Sequence, residues 1–366
     1  MTTAQKQVMA GGFAAWDGRT LVSVAVLVGC AGAAMMLGST EWAGRLGLSA
    51  LTLAILLGMA LGHVPGHQRW LTAEAIQFAR HTLLRAGVIL YGARLTLAQI
   101  HDLGAAGIAI PLLVLAATML AGTWIGTRWF GLSRPQAVLV AAGSAVCGAA
   151  AVLAVAPAVK AQPRETAVAI ASVVLFGTIG IFLYPWLYAL VTHAGMAVAP
   201  AHFGVYIGST MHEVAQVIAA ARPLGDDATN AAVVSKMVRV LALAPLLVVL
   251  ACTTPAEGGA AGAGSRESAL RKAAGHAWKA MPWFAVGLLG VTLLNSAGAI
   301  PAAWHAPIDA VDTAMLACAM FAIGTQTHVP MLLKSGVRPL LCAAVLWVGL
   351  VGGGAAINAG VRWLVG

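Results

Sequence analysis

The chain has 366 residues, 60% of them hydrophobic and only 9% charged, against about 45–50% apolar and ~25% charged in ordinary soluble domains. Too little polar surface remains to cover a soluble fold of this length, which excludes a soluble Rossmann enzyme, a disordered chain, a coiled coil and a secreted disulfide scaffold. The composition is that of an all-α integral membrane protein whose medium is the lipid bilayer. The formal charge of +9 lies in short loops and forms no basic stripe interleaved with aromatics, so nucleic acid is not an expected partner.

Residues 1–19, with Lys6 and Arg19, precede the apolar run from Leu21 to Leu37. That run reads as an uncleaved first span, since many spans follow and no clear small-x-small cleavage site appears. The apolar segments fall at roughly 20–38, 46–62, 82–100, 104–126, 136–158, 166–192, 201–221, 230–252, 282–299, 307–326 and 339–363, which predicts about 10–11 transmembrane helices. They form one polytopic domain over 1–366: eight spans over 20–252, a flexible inner loop over 253–281, and three spans over 282–366. In that loop, Thr253–Ser265 is a Gly/Ala-rich linker, and Arg266–Lys279 is a short helix with Glu267 and Arg271 paired at i,i+4. With the N-terminus inside, twelve Lys/Arg fall in inner loops and five (Arg45, Lys160, Arg164, Arg222 and Arg362) outside, as a bacterial inner-membrane protein with a cytoplasmic N-terminus requires. Lys160 and Arg164 are the exception, and a re-entrant segment there would change the count. Asp309 and Asp312 read as a solvated cap at the mouth of the tenth span. The cysteines Cys30, Cys147, Cys252, Cys318 and Cys342 include no CxxC, so no disulfide framework, metal site or cofactor is expected.

Polar groups at membrane depth are costly and point to function. In the fifth span, Gly143, Ser144 and Gly148 flank Cys147 and weaken the helix. In the seventh, Ser209, His212, Glu213 and Gln216 fall on one helical face about 100° wide, beside a small face carrying Gly204 and Gly208. A zinc HExxH is ruled out, because Gln216 stands where the second histidine belongs. Lys236 and Arg239 share a face of the eighth span, placed to bind an anion or to neutralise Glu213. Aligning Gly143-Ser144 with Gly208-Ser209 puts Cys147 opposite His212, and a second echo pairs Gly92-Ala-Arg94 with Gly324-Thr-Gln326. Paired Gly-interrupted helices are the sequence pointer to a transporter's midplane site.

The runs Gly143–Ala161, Phe203–Ala220, Lys236–Leu247 and Gly324–Leu341 resemble the YeiH-like family of bacterial inner-membrane proteins, labelled by inference as sulfate exporters. The likeness runs from about Leu46 to Asn358. It implies kinship with the sodium/proton antiporter and bile-acid symporter group, hence inverted repeats, broken helices crossing near the midplane, and a panel domain that often forms homodimers. The breakpoints would be Gly143–Gly148 and Ser209–Gln216. The paired aspartates of proton antiporters are absent, and His212-Glu213 takes their place, which leaves H+ or Na+ open as the coupling ion. The expected function is not enzymatic. It is secondary transport of a small anionic solute, sulfate or a related sulfur oxyanion or sulfonate, by alternating access. Gly143, Ser144, Cys147, Gly148, Ser209, His212, Gln216, Lys236, Arg239, Arg94 and Gln326 are the expected substrate contacts, with Glu213 and His212 coupling the ion. An anion channel, or a membrane-embedded sensor or partner subunit, is the alternative.

Overall fold

A computed structural model describes residues 17–45, 48–253, 275, 278, 281–326 and 337–365. The expected Gly/Ala linker and the short helix after it lie almost wholly outside the described residues. In chain order the helices used below are α1 (Gly18–Gly38), α2 (Ala50–Gly62), α3 (Ala73–Phe78), α4 (Leu84–Tyr91), α5 (Leu97–Asp102), α6 (Gly104–Arg128), α7 (Arg134–Ala145) and α8 (Ala149–Val155). They continue as α9 (Pro163–His193), α10 (Pro200–Thr210), α11 (Val214–Ala221), α12 (Asp226–Leu241), α13 (Leu243–Thr253), α14 (Trp283–Ser296), α15 (Ala302–Thr325) and α16 (Val337–Val365). No strand occurs among the described residues, and six helical stretches are long and apolar enough to cross a membrane. The protein is an all-α integral membrane protein.

Its packing divides into two compact units, Met1–Tyr91 with Ile300–His328, and Gly92–Ala299 with Val329–Gly366. In the first unit, α2 and α15 approach backbone to backbone. A Cβ on Gly58 or Gly62 would strike the carbonyl of Phe321 or Thr325, and one on Gly324 would strike that of Ile55. Small residues four apart permit this approach where lipid removes the hydrophobic drive for helix pairing. Asp312 is buried within α15 and is not the solvated cap that the sequence suggested.

The second unit holds two re-entrant hairpins. α7 and α9 run parallel: Ser133 Oγ at the start of α7 hydrogen-bonds Glu165 in the first turn of α9, and further along Gly143 faces Val173. Helices joined by a single segment run parallel only if that segment returns to the starting end. α8 therefore folds back, with Gly143 against Val152. The second case is equally clear. On α10, Gly204 and Gly208 lie against the carbonyls of Ala228 and Ala232 on α12, and Ser235 Oγ donates to Val205 O at 3.1 Å. α10 and α12 are parallel, so α11 is the returning arm. α9 and α10 are antiparallel, with Tyr188 packed on Phe203 and Tyr184 on Tyr206 at centroid distances of 5.0 and 5.2 Å.

The two hairpins therefore come in from opposite ends of α9 and meet near its middle, where Val173 touches Gly148 and Gly180 faces Met211. The fifth and seventh predicted spans do not cross: each is a half-helix, a three-residue tip (Val146–Gly148 or Met211–Glu213) and a returning half-helix. The tips are 65 residues apart, the same offset as the alignment of Gly143-Ser144 with Gly208-Ser209. Half-helix, tip, half-helix and long helix occur twice with opposite direction, which is an inverted repeat.

This topology predicts that cysteines introduced at Arg134 and Gln162, on a cysteine-depleted background, react with a membrane-impermeant maleimide from the same side. Labelling from opposite sides would restore a crossing fifth span.

Candidate functional site

A helix ends with four carbonyls that its own amides cannot reach, and in lipid each unsatisfied one costs several kcal/mol. At the end of α7 all of these are accounted for. Ala142 O accepts from Val146 N at 3.0 Å and Gly143 O from Gly148 N at 3.1 Å. Ser144 O accepts from Arg239 Nη2 at 2.6 Å, and Ala145 O from Arg239 Nε at 2.7 Å. Val146 O takes Lys236 Nζ at 2.6 Å. The second tip uses the same two side chains: Arg239 Nη1 reaches Ser209 O at 2.5 Å and Met211 O at 3.1 Å, and Lys236 Nζ reaches Met211 O at 2.7 Å. Lys236 and Arg239, both fully buried on α12, thus clamp the carbonyl ends of both hairpins. Cations suit the negative end of a helix dipole, and hydrogen bonds from a charged donor contribute about 1.5–3 kcal/mol each. The sequence reading gave these donors to the substrate; the structure gives them to the tips.

Glu213 does the opposite job. It is the N-cap of α11, its carboxylate accepting from the Gln216 amide while Gln216 Oε1 accepts from Glu213 N at 3.3 Å in a capping box. The same carboxylate crosses to the first tip, where Oε1 accepts from Ala149 N at 3.5 Å. Gly148 makes room for it: a Cβ there would lie 2.7 Å from Glu213 Cγ, and the backbone sits at φ +70°, a conformation that favours glycine. Gly177 on α9 plays a similar part for Gln216, whose amide would collide with any side chain there.

Ser209, His212, Glu213 and Gln216 are all buried, but they do not share a face of one helix, because the helix stops at Thr210 and restarts at Val214. They converge on the second tip instead. Two side-chain nitrogens there, His212 Nδ1 and Gln216 Nε2, are buried without a hydrogen-bond partner, as is Asn358 Oδ1. Buried polar atoms are normally satisfied, so these orphans make the second tip the candidate site. Cys147 lies buried on the first tip.

Two expected contacts make other interactions. Gln326 belongs to the first compact unit, where it accepts from Arg80 Nη1. Arg94 ends a 3-10 turn, Gly92–Arg94, with Gly92 close to the Leu288 carbonyl on α14. Conversely, the sequence reading passed over Asn358, whose Nδ2 donates to Ser209 Oγ at 3.2 Å, and Tyr184, which donates to Thr210 Oγ1 at 2.7 Å. A lone amide in the last apolar run was the available signal for Asn358. A cavity of about 470 Å³ opens at the starting ends of α10 and α12, with Asp102, His202, Asp227, Asn230 and Arg362 among its lining.

The clamp predicts that Arg239→Met lowers the stability of the purified protein by about 3–5 kcal/mol, the range for breaking a buried charged network. Asn358→Ala, which removes one neutral hydrogen bond, should lower it by only about 1 kcal/mol. Thermal unfolding in detergent distinguishes the two; equal effects would remove Arg239 from its central place.

The family model described as "Conserved hypothetical protein 698" matches residues 22–343. The UPF0324 membrane protein RSc1111 of Ralstonia nicotianae is 84% identical over 366 residues, all of both chains. The UPF0324 inner membrane protein YeiH of Escherichia coli (strain K12) is 44% identical over 337 residues, 90% of this chain and 93% of that one. Among solved structures, the sodium proton antiporter MjNhaP1 from Methanocaldococcus jannaschii is 16% identical, covering 90% of this chain and 100% of that one, with a TM-score of 0.27. That score is too low for any feature to be carried across.

Proposed function

The chain belongs to the conserved hypothetical protein 698 family of membrane proteins, and from that premise we propose that it is a secondary transporter of a small anionic solute working by alternating access. The observation that carries this reading is the meeting of two re-entrant tips from opposite ends, at a point holding one carboxylate and orphaned buried nitrogens of His212 and Gln216. Paired broken elements related by inversion are the architecture in which a fixed central site is opened alternately to either side. Gln216 Nε2 can only donate, so the solute it lacks carries an acceptor oxygen. Sulfate, a related sulfur oxyanion or a sulfonate fits that requirement and the resemblance on which the sequence reading rests. Lys236 and Arg239 offset the carbonyl dipoles at the tips, which lowers the barrier that those negative ends present to an anion. Glu213, with His212 beside it, is the ion-linked element.

The orientation follows the same logic. Because α8 returns to the end where α7 began, Lys160 and Arg164 join Arg134 on one side. With the N-terminus in the cytoplasm, the Lys/Arg count becomes fourteen inside against three outside, in line with the positive-inside rule. The cavity at the starts of α10 and α12 is then the outer vestibule.

The test is flux. Protein reconstituted in liposomes should accumulate labelled sulfate or thiosulfate under an imposed pH or sodium gradient. Gln216→Ala should raise KM about tenfold, the equivalent of 1.4 kcal/mol for one lost hydrogen bond. Glu213→Gln should abolish gradient-driven accumulation while leaving anion-for-anion exchange. Undiminished gradient-driven accumulation by Glu213→Gln would refute the assignment, and currents far above any coupled stoichiometry would make the protein a channel.

A further inference from the structure

We propose that the Glu213 carboxylate is a tethered stand-in for the transported anion, so that carboxylate and anion compete for a single place and one proton is bound for every anion bound. This rests on the anion reading above and adds to it a coupling ion, a stoichiometry and the atoms responsible.

The carboxylate joins the two tips. It accepts from the Gln216 amide at the N-terminus of α11 and from Ala149 N on the opposite tip. It fills the space left by the missing side chain of Gly148. Two features place the solute at the same end. The Gln216 side-chain amide lies over this N-terminus through its bond to Glu213 N, with Nε2 buried and without a partner. The His212 ring, immediately before the N-cap, has its Nδ1 buried and unpartnered as well. The unpartnered Gln216 Nε2 is therefore a donor available to an incoming oxyanion at the end that Glu213 caps. The carboxylate already uses the backbone N–H that such an anion needs, and two negative groups within hydrogen-bond distance of one N–H repel strongly in a low-dielectric site.

Protonation resolves the conflict. A neutral carboxyl accepts less strongly from the N–H groups than a carboxylate does and no longer repels the oxyanion, which takes the Gln216 N–H and Nε2. For a monoanion the charge at the site is conserved, one carboxylate negative charge being replaced by that of the anion; a dianion such as sulfate adds one negative charge, and in either case the proton travels on Glu213. The other titratable or charged groups on elements packed against Glu213 are Cys147 on the first tip, His212 beside it, Lys236 and Arg239 on α12, and Tyr184 on α9. Lys236 and Arg239 are committed to tip carbonyls, and Tyr184 to Thr210; the Glu213 carboxylate is the group that accepts from Ala149 N on the opposite tip.

The experiment is calorimetric titration of the purified protein with sulfate, thiosulfate, methanesulfonate and acetate in two buffers of different protonation enthalpy, repeated from acidic to alkaline conditions. Sulfate stays fully deprotonated across that range, so any proton taken up belongs to the protein. The wild-type protein should take up about one proton per sulfate, and its affinity should fall about tenfold per pH unit on the alkaline side, as linkage of one proton requires. Glu213→Gln should bind the same anion with no proton uptake and no pH dependence, at least as tightly as the wild-type protein in acid. Binding by the wild-type protein without proton uptake, or persisting uptake in Glu213→Gln, would overturn the competition while leaving an anion transporter standing. Failure of all four anions to bind at every pH would overturn the anion reading and this inference with it. The wild-type titration decides the matter even if the variant does not fold.

Discussion

Five backbone carbonyls at the meeting point of two interrupted helices, those of Ser144, Ala145, Val146, Ser209 and Met211, are held by two side chains one turn apart on α12. Inside a bilayer no water is available for them, and a helix that stops halfway leaves several kcal/mol of unmet hydrogen bonding per end. Lys236 and Arg239 meet that demand for both ends at once. Without them neither interruption is tolerable, and without the interruptions there is no place in the second unit where backbone amides and orphaned side-chain nitrogens come together away from solvent. A buried charge is itself expensive. Here the helix dipoles and the carbonyl lone pairs supply what an acidic partner would supply elsewhere.

The sign of each bridge between the tips follows from helix polarity. Where half-helices end, carbonyls face inward and cations bind them; where half-helices begin, amides face inward and the Glu213 carboxylate binds them. The two bridges differ in one respect that matters for function. A guanidinium does not lose its charge in a protein, whereas a carboxylate can be neutralised by a single proton. The permanent clamp keeps the tips together, and in the proposal above the carboxylate governs what sits between them.

Much of this was readable in the sequence, and the failures are specific. Gly143, Ser144 and Gly148 marked a weak point in the fifth span, and the offset between Gly143-Ser144 and Gly208-Ser209 was an echo of it. The arrangement of Ser209, His212, Glu213 and Gln216 was misjudged because a helical projection assumes a continuous helix. Glu213-x-x-Gln216 is a capping box, a signal that a helix starts there, which a projection onto one helical face hides. Hydropathy also counts a hairpin of two half-helices as one span, since both arms are apolar and their summed length suits a bilayer. The one sign of trouble was electrostatic: Lys160 and Arg164 stood on the wrong side of the membrane for a crossing segment.

The sequence by itself determined that the chain lives in lipid, where its two interruptions fall, and which few polar groups lie at membrane depth, because composition and the scarcity of charge are local properties of the chain. Only the tertiary structure decided that each interrupted segment turns back, that Lys236 and Arg239 serve backbone carbonyls, and that Glu213 reaches across to Ala149. Those outcomes depend on the parallel packing of α7 with α9 and of α10 with α12. Hydrogen-bond partners that lie 64–95 residues apart are chosen by that packing, and no local pattern encodes it.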